Sequence, residues 1–150
     1  MMVLHQESNI GAPNLQFELS IPSTVSSISP LVDDLMERLV TNACIQGDGS
    51  DIEVALREAL ANGILHGNHE DPAKRVYLKV RYEKSGELFF VVRDEGKGFN
   101  LSEVADPLAP ENLASEHGRG ILMMKLYMDD VHYEHGGTEV HMRKKILAGM

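Results

Sequence analysis

The chain has 150 residues, 43% of them hydrophobic and 25% charged, which is an ordinary composition for a single globular domain. Its formal net charge of −9 argues against nucleic-acid binding, which needs clustered cations for the phosphates. No apolar run reaches membrane-spanning length, the N-terminus lacks the pattern of a signal peptide, and the one cysteine, Cys44, lies in an apolar helical pattern typical of a reduced core thiol. We therefore expect a cytoplasmic protein that contacts neither nucleic acid nor membrane.

Hydrophobic periodicity predicts the order strand, helix, helix, strand, strand, helix, strand, strand. The approximate ranges are 15–23, 25–44, 50–65, 75–84, 87–94, 118–128, 129–135 and 138–147. Ser50 followed by Glu53 resembles a capping box at the start of the second helix. We expect residues 1–14 to be a flexible N-terminal segment of one domain spanning 1–150. Long helices beside hairpins are typical of an α+β fold, a two-layer sandwich with helices on one face of a mostly antiparallel mixed sheet.

The second predicted helix carries polar residues at an unusual place. Glu58, Asn62 and His66 are spaced four apart, which puts a carboxylate, an amide and an imidazole along one side. An exposed polar stripe is one interpretation. The other is a functional side, because small apolar neighbours leave little room for a solvated face and Asn is a poor helix former. The helix alone leaves both open.

An acidic pair ends the most apolar predicted strand. Asp94 and Glu95 follow "ELFFVV" directly, and Gly96 and Gly98 come next. A plain surface turn would explain these residue types. Alternatively, a carboxylate is held at the edge of the core to receive a ligand, and the glycines let that ligand approach the backbone. This stretch alone does not decide between the two.

The third helix is predicted to begin with two glycines. Gly118, Arg119 and Gly120 would expose backbone N–H groups where the helix dipole favours an anion, although a tight turn explains the same residues. The chain has no P-loop motif and no complete dinucleotide fingerprint. Residues 95–117 form a long predicted loop without periodicity, and such loops are usually functional or disordered.

Histidines on the last predicted hairpin raise the question of a metal site. If the glycine pair between the strands is a tight turn, His132 and His141 face each other and share a face with Glu134 and Glu139. The opposite face would carry Val131, Tyr133, Val140 and Met142. Of the two interpretations, an ordinary hairpin with one solvated polar face and one apolar face is favoured, and a metal site is the less favoured one.

The polar motifs occur together in a recognisable order. They are Glu58 and Asn62 on a helix, Asp94, Gly96 and Gly98 after a strand, Gly118 and Gly120 opening a helix, and Gly137 and Thr138 entering the last strand. This ordered set resembles the GHKL (Bergerat-type) ATP-binding fold of gyrase, heat-shock ATPase chaperones and histidine kinases, over residues 15–147. Within that superfamily, "REALANGILHGN" and "GRGILMMKLYMDDVHY" most resemble bacterial anti-sigma-factor serine/threonine kinases.

The resemblance implies an adenine pocket. In it Asp94 would accept a hydrogen bond from the adenine amino group, Gly96 and Gly98 would shape the pocket, and the Thr138 hydroxyl would complete the contact. A buried acceptor of this kind discriminates strongly against a base that lacks the donor. Residues 99–117 would form an ATP lid.

The resemblance also implies a phosphate and metal site. Asn62 would bind Mg²⁺, a hard cation that prefers oxygen ligands and bridges phosphates. Gly118, Arg119 and Gly120 would contact the phosphates through their backbone amides. Glu58 would be the general base that takes the proton from an attacking hydroxyl.

The function implied is that of an Mg·ATP-dependent serine/threonine protein kinase. It would act as an anti-sigma factor, bind a sigma factor, and phosphorylate an anti-sigma-factor antagonist, as a homodimer in the family's manner. The alternative is a non-catalytic regulator of the same fold whose grip on partners is gated by nucleotide. Neither interpretation assigns a role to Lys97, His66 or His117.

Overall fold

In the computed structural model, the described residues form three α-helices that pack against one face of a six-stranded sheet. The structure describes residues 2–9, 12–42, 44–45, 47, 49–98 and 116–146. The strands are β1 Met2–Asn9, β2 Ala12–Pro22, β3 Arg75–Glu83, β4 Glu87–Arg93, β5 Asp130–Glu134 and β6 Glu139–Lys145. The helices are α1 Ile28–Thr41, α2 Ser50–Asn62 and α3 Glu116–Tyr127. None of the described helices is both long and apolar enough to cross a membrane.

The sheet has the order β1-β2-β3-β4-β6-β5, and all of these neighbours pair antiparallel. The predicted α+β two-layer sandwich is therefore confirmed, with a sheet that is antiparallel at every described pairing. In β5 and β6, His132 pairs with His141 and Glu134 with Glu139, which is the register expected from the sequence. The turn between these strands is longer than the glycine pair, because a 3-10 turn spans His135–Gly137.

The N-terminal segment differs from the flexible stretch expected over residues 1–14. Residues 2–9 form β1, which pairs along its whole length with β2, from Met2 opposite Leu19 to Asn9 opposite Ala12. The physical reason is that β2 would otherwise be an edge strand with a row of unpaired N–H and C=O groups. The pairing gives those groups partners.

The core lies between the sheet and the helices. Alternate residues of the inner four strands point into it, among them Phe17, Leu78, Phe90 and Met142. The helices contribute apolar residues at helical spacing, such as Leu35 and Leu39 of α1 and Leu56 and Leu60 of α2. This packing holds α2 across the sheet between α1 and α3.

Helix α2 begins and ends in ways that position the site. Gly49 is its N-cap, at φ 68°, so the capping box expected from Ser50 and Glu53 does not form. A glycine tolerates that left-handed backbone, and Ser50 becomes the first helical residue. At the other end, a π-helical turn, Gly63–Gly67, continues the helix, and the Asn68 N–H donates to the Gly63 carbonyl at 2.8 Å. Such turns are frequent at functional sites because they displace the following residues by one position.

Candidate functional site

A cavity of about 260 Å³ opens where the end of α2, the end of β4 and the β5–β6 hairpin meet. Six residues singled out in the sequence line it: Asn62, His66, Asp94, Gly98, Gly137 and Thr138. Its apolar walls include Ala59, Val92 and Val140. An apolar cleft with a few convergent polar groups is the usual form of a small-molecule site.

Asp94 is the only carboxylate among the described residues that line this cavity. Its side chain is half-buried, and its Oδ1 accepts a hydrogen bond from the Gly96 N–H at 2.8 Å. Burial raises the pKa of this carboxyl above its ordinary value, while the Gly96 N–H and the charges of Lys74 and Arg93 oppose the rise. Within the described part of the chain nothing donates to Oδ2, which leaves that oxygen for a ligand.

Glycines surround the Asp94 carboxylate because the backbone passes too close for side chains. A Cβ on Gly67 would overlap the carboxyl group of Asp94, and one on Gly96 would overlap the Gly67 carbonyl oxygen. A Cβ on Gly98 would overlap the Gly136 carbonyl oxygen, and the φ of 79° at Gly98 is itself a conformation that favours glycine. Gly67 is a residue that the sequence reasoning missed, and its signal was the "HGN" that ends the second helix.

Asn68 is a second residue that the sequence reasoning missed. It is fully buried, and its Nδ2 donates to the Ser23 Oγ at 2.7 Å and to the Arg75 carbonyl at 2.9 Å. Its Oδ1 accepts from the Glu95 N–H at 2.7 Å. Asn68 therefore fixes the backbone directly after Asp94 against β3 and the end of β2. In the sequence it is one polar residue in a loop, with nothing to mark its burial.

Tyr133 and Thr138 of the β5–β6 hairpin also line the cavity. The Thr138 hydroxyl donates to the His135 carbonyl at 2.9 Å, so its oxygen lone pairs stay available as acceptors. Tyr133 points to the inner side of the sheet, as the alternation of β5 predicts, and burial raises the pKa of its hydroxyl. The residues that line the cavity thus include Tyr133 and Thr138, which carry hydroxyl groups, and Asp94 with its carboxylate.

Glu58 and Asn62 lie one turn apart on α2, under the start of α3. A Cβ on Gly120 would lie 2.8 Å from Glu58 Oε2 and 3.2 Å from Asn62 Nδ2. The Asn62 Nδ2 is buried and has no hydrogen-bond partner among the described residues. This pair is therefore not part of a solvated stripe, whereas His66 is exposed at the cavity wall.

Helix α3 begins two residues before the expected start. Gly118 and Arg119 are its third and fourth residues, so their N–H groups are among the first four that lack an intrahelical partner. Gly120 is the fifth residue of α3, and its lack of a side chain lets α3 approach Glu58 and Asn62 of α2 closely. The Arg119 side chain is exposed. Of the expected lid over 99–117, residues 99–115 lie outside the described residues, and residues 116 and 117 belong to α3.

These residues fit a magnesium nucleotide with an adenine base. Asp94 offers a carboxylate oxygen beside glycines, which suits an exocyclic amino group, and the apolar walls suit the faces of a base. The side-chain oxygen of Asn62 is a ligand of the kind that Mg²⁺ prefers, and its orphaned Nδ2 suits a phosphate oxygen. The early amides of α3 suit an anion.

Comparison with known proteins finds one ATPase domain family and several relatives that share one name. A family model for the histidine kinase-like ATPase domain matches residues 21–144. The chain is similar to the anti-sigma F factor of Geobacillus thermodenitrificans, with 30% identity over 149 residues, 95% of this chain and 92% of the relative. The anti-sigma F factor of Bacillus cytotoxicus is 32% identical over 126 residues, 81% of this chain and 79% of the relative. That of Bacillus subtilis is 28% identical over 149 residues, again 95% and 92%.

Proposed function

Because the chain belongs to the histidine kinase-like ATPase domain family, we propose that it is an Mg·ATP-dependent serine/threonine protein kinase. In this proposal it is also an anti-sigma factor, and its phosphoacceptor is an antagonist protein that relieves the inhibition. The whole chain, 1–150, works as one ATP-binding domain. ATP binding follows from the family, while the metal, the acceptor residue and the partners are the proposed parts.

The observation that carries the proposal is the surrounding of Asp94. A carboxylate at the edge of the core, with one oxygen that accepts no hydrogen bond from the described residues and with glycines at the closest backbone approaches, is a suitable acceptor for a nucleobase amino group. Mispairing at such a group leaves it unsatisfied, and this disfavours guanine. The hydroxyl of Thr138, which lines the same cavity, would make the second contact with adenine.

Glu58, Asn62 and the start of α3 supply the remaining chemistry. ATP, when bound, supplies the phosphoryl group. Asn62 would give its amide oxygen to Mg²⁺, and the Gly118 and Arg119 amides would bind phosphate oxygens. Glu58, one turn from Asn62, would accept the proton from the acceptor hydroxyl. The buried Asn62 Nδ2, which has no partner among the described residues, would donate to a phosphate oxygen, since a buried polar group without a partner is destabilising unless a ligand uses it.

The proposed partners follow from the relatives' name, anti-sigma F factor. We propose that this chain binds a sigma factor and, separately, an antagonist, that it acts in the cytoplasm, and that it is a homodimer. Its net charge of −9 makes direct contact with nucleic acid unfavourable, so regulation would act on the sigma factor and not on DNA.

The test is transfer of labelled phosphate from ATP to an antagonist encoded beside this protein. We expect magnesium-dependent labelling of the antagonist that survives acid, as Ser and Thr phosphates do and His phosphates do not. Asp94→Asn, which should bind ATP more weakly, is the matched control and should label less antagonist at an ATP concentration that does not saturate it. Tight ATP binding by the parent without transfer to any candidate partner would overturn the kinase and favour the non-catalytic regulator.

A further inference from the structure

The outer face of the β5–β6 hairpin carries a cluster of imidazoles and carboxylates that the nucleotide site does not use. His132 and Glu134 on β5 lie opposite His141 and Glu139 on β6. Neighbouring residues on the same strands, Tyr133 among them, point the other way into the cavity. The cluster is thus on the sheet face opposite the helices.

Ring nitrogens from both strands converge on one carboxylate. The His141 Nε2 lies 2.7 Å from one oxygen of Glu134, and the His132 Nε2 lies 3.6 Å from the other. The two imidazole rings stack with their centroids 5.0 Å apart and a tilt of 13°. One ligand atom from each of these three residues lies within 4.8 Å of the others.

We propose that His132, Glu134 and His141 form a binding site for a divalent transition-metal ion of the Zn²⁺ type. Imidazole nitrogen and carboxylate oxygen are the donors that zinc accepts, and three protein ligands leave the fourth tetrahedral position to water. Zn–N bonds of about 2.0–2.1 Å put tetrahedral ligands about 3.4 Å apart, which small side-chain rotations achieve from these separations. Paired strands hold the two histidines more rigidly than a loop would.

Asp130 is the positioning residue of this site. Its Oδ2 lies 3.1 Å from the His132 Nδ1, so it accepts the proton on that nitrogen and leaves the lone pair on Nε2, the atom that faces Glu134. A carboxylate behind a metal-binding histidine is the usual arrangement for fixing its tautomer and raising its basicity. This contact is independent of the convergence on Glu134 and points to the same atom as a ligand.

The charges around the two histidines favour a bound cation. Three carboxylates, of Asp130, Glu134 and Glu139, lie within ion-pair distance of these rings. The nearby Arg143 pairs instead with Glu87, at 3.5 Å.

A second group, Glu134, His135 and Glu139, also has its ligand atoms close together. It has only one imidazole, and that residue lies on the turn at φ 52°. We therefore assign the ion to the pair of strand histidines. His135 becomes the natural control, since it is an exposed imidazole a few residues away.

The experiment uses the full chain without an affinity tag or nucleotide, freed of metal by a chelator. Zn²⁺ is titrated by calorimetry, and Co²⁺ is titrated by visible absorption and then displaced by Zn²⁺. We expect one saturable equivalent, with the absorption of a tetrahedral cobalt site. His132→Ala and His141→Ala should abolish it, Asp130→Asn should weaken it about 10–100-fold, and His135→Ala should leave it unchanged.

Circular dichroism of each variant separates a lost ligand from a lost fold. The substitutions lie on an exposed face, so the parent and variant spectra should match. Absence of saturable binding by the folded parent overturns the proposal. Binding that persists in folded His141→Ala, or that depends on His135, overturns the assignment to the strand pair.

Discussion

The backbone N–H of Asp94 donates a hydrogen bond to the carbonyl oxygen of Thr138 at 3.0 Å. This bond joins the end of β4 to the entrance of β6, so the two side chains proposed to contact adenine are held by one backbone link. Neither side chain takes part in it, and both remain available for a ligand. The sheet thus fixes the position of these two residues relative to each other at the cavity.

Asp94→Asn should weaken ATP binding. The amide can keep the bond from the Gly96 N–H, but it replaces a charged acceptor oxygen with a neutral amide. Hydrogen bonds to charged groups contribute about 1.5–3 kcal/mol, which corresponds to roughly a tenfold to hundredfold loss of affinity. Calorimetric titration measures it, with Glu95→Gln as a matched carboxylate control. Unchanged affinity in the folded variant would remove Asp94 from the adenine contact.

The same substitution should stabilise the nucleotide-free protein at neutral pH. Burial raises the pKa of Asp94 above 3.8, so the folded state binds this proton more tightly than the unfolded chain does. The free energy of unfolding therefore falls as pH rises from 3.8 through the raised pKa. Asn does not ionise, so its advantage over the parent should be present at neutral pH and shrink toward 3.8. Urea unfolding at both ends of this range tests the sign, and a more stable parent at neutral pH would contradict it.

Asn62→Ala should separate stability from metal binding. Alanine has the higher helix propensity, by up to about 0.7 kcal/mol, and the change removes a buried amide nitrogen that has no partner within the described part of the chain. The free energy of unfolding should hold or rise, while the gain in nucleotide affinity that Mg²⁺ gives should fall. Titration with and without a chelator provides the internal control. An unaltered magnesium dependence would leave Asn62 as a packing residue.

Glu58→Gln should spare nucleotide binding and reduce phosphoryl transfer. The amide has the same shape but cannot accept the acceptor proton, and a positioned base contributes about 10²–10⁴-fold. The loose transition state of phosphoryl transfer favours the lower end of that range. Single-turnover transfer to the antagonist at saturating Mg·ATP measures the step. Undiminished transfer would exclude Glu58 as the base.

Asn68→Ala should weaken both the fold and ATP binding. It removes three hydrogen bonds of a fully buried side chain, each with a net contribution of about 0.5–1.5 kcal/mol, and leaves the Glu95 N–H without its acceptor. Asn42→Ala, which removes one exposed bond to the Arg38 carbonyl, is the matched control. Equal losses in the two variants would show that Asn68 has no special part in the site.

Much of the fold follows from the sequence because its signals are local. Alternation and helical spacing predict β2 to β6 and all three helices, and the glycine pair before Thr138 predicts the register of the last hairpin. Strand β1 was not predicted, because its pairing with β2, and not a pattern in its own sequence, stabilises it. The start of α3 was also wrong by two residues, because helix ends depend on their surroundings.

The candidate site was predictable only where its residues form motifs. Asp94, Gly96 and Gly98 are close together in the sequence, so the sequence alone predicts that they lie close together in the structure. Gly67 and Asn68 contact residues that are distant in the sequence, Asp94 and Ser23, and no local sequence pattern predicts such contacts. The convergence of two histidines on Glu134 depends on side-chain rotamers, and the register alone could not predict it.

The hydrogen bonds of Asn68 have a consequence for how the protein acquires its site during folding. Its partners Ser23 and Glu95 lie 45 and 27 residues away, on opposite sides along the chain. Contacts of such separation form only after the intervening segments have collapsed, because loop closure must come first. The backbone beside Asp94 therefore depends on contacts that span the chain from Ser23 to Glu95. A chain that ends before β4 would lack Asp94 and Glu95, and with them both the carboxylate and one of the contacts that fix its backbone.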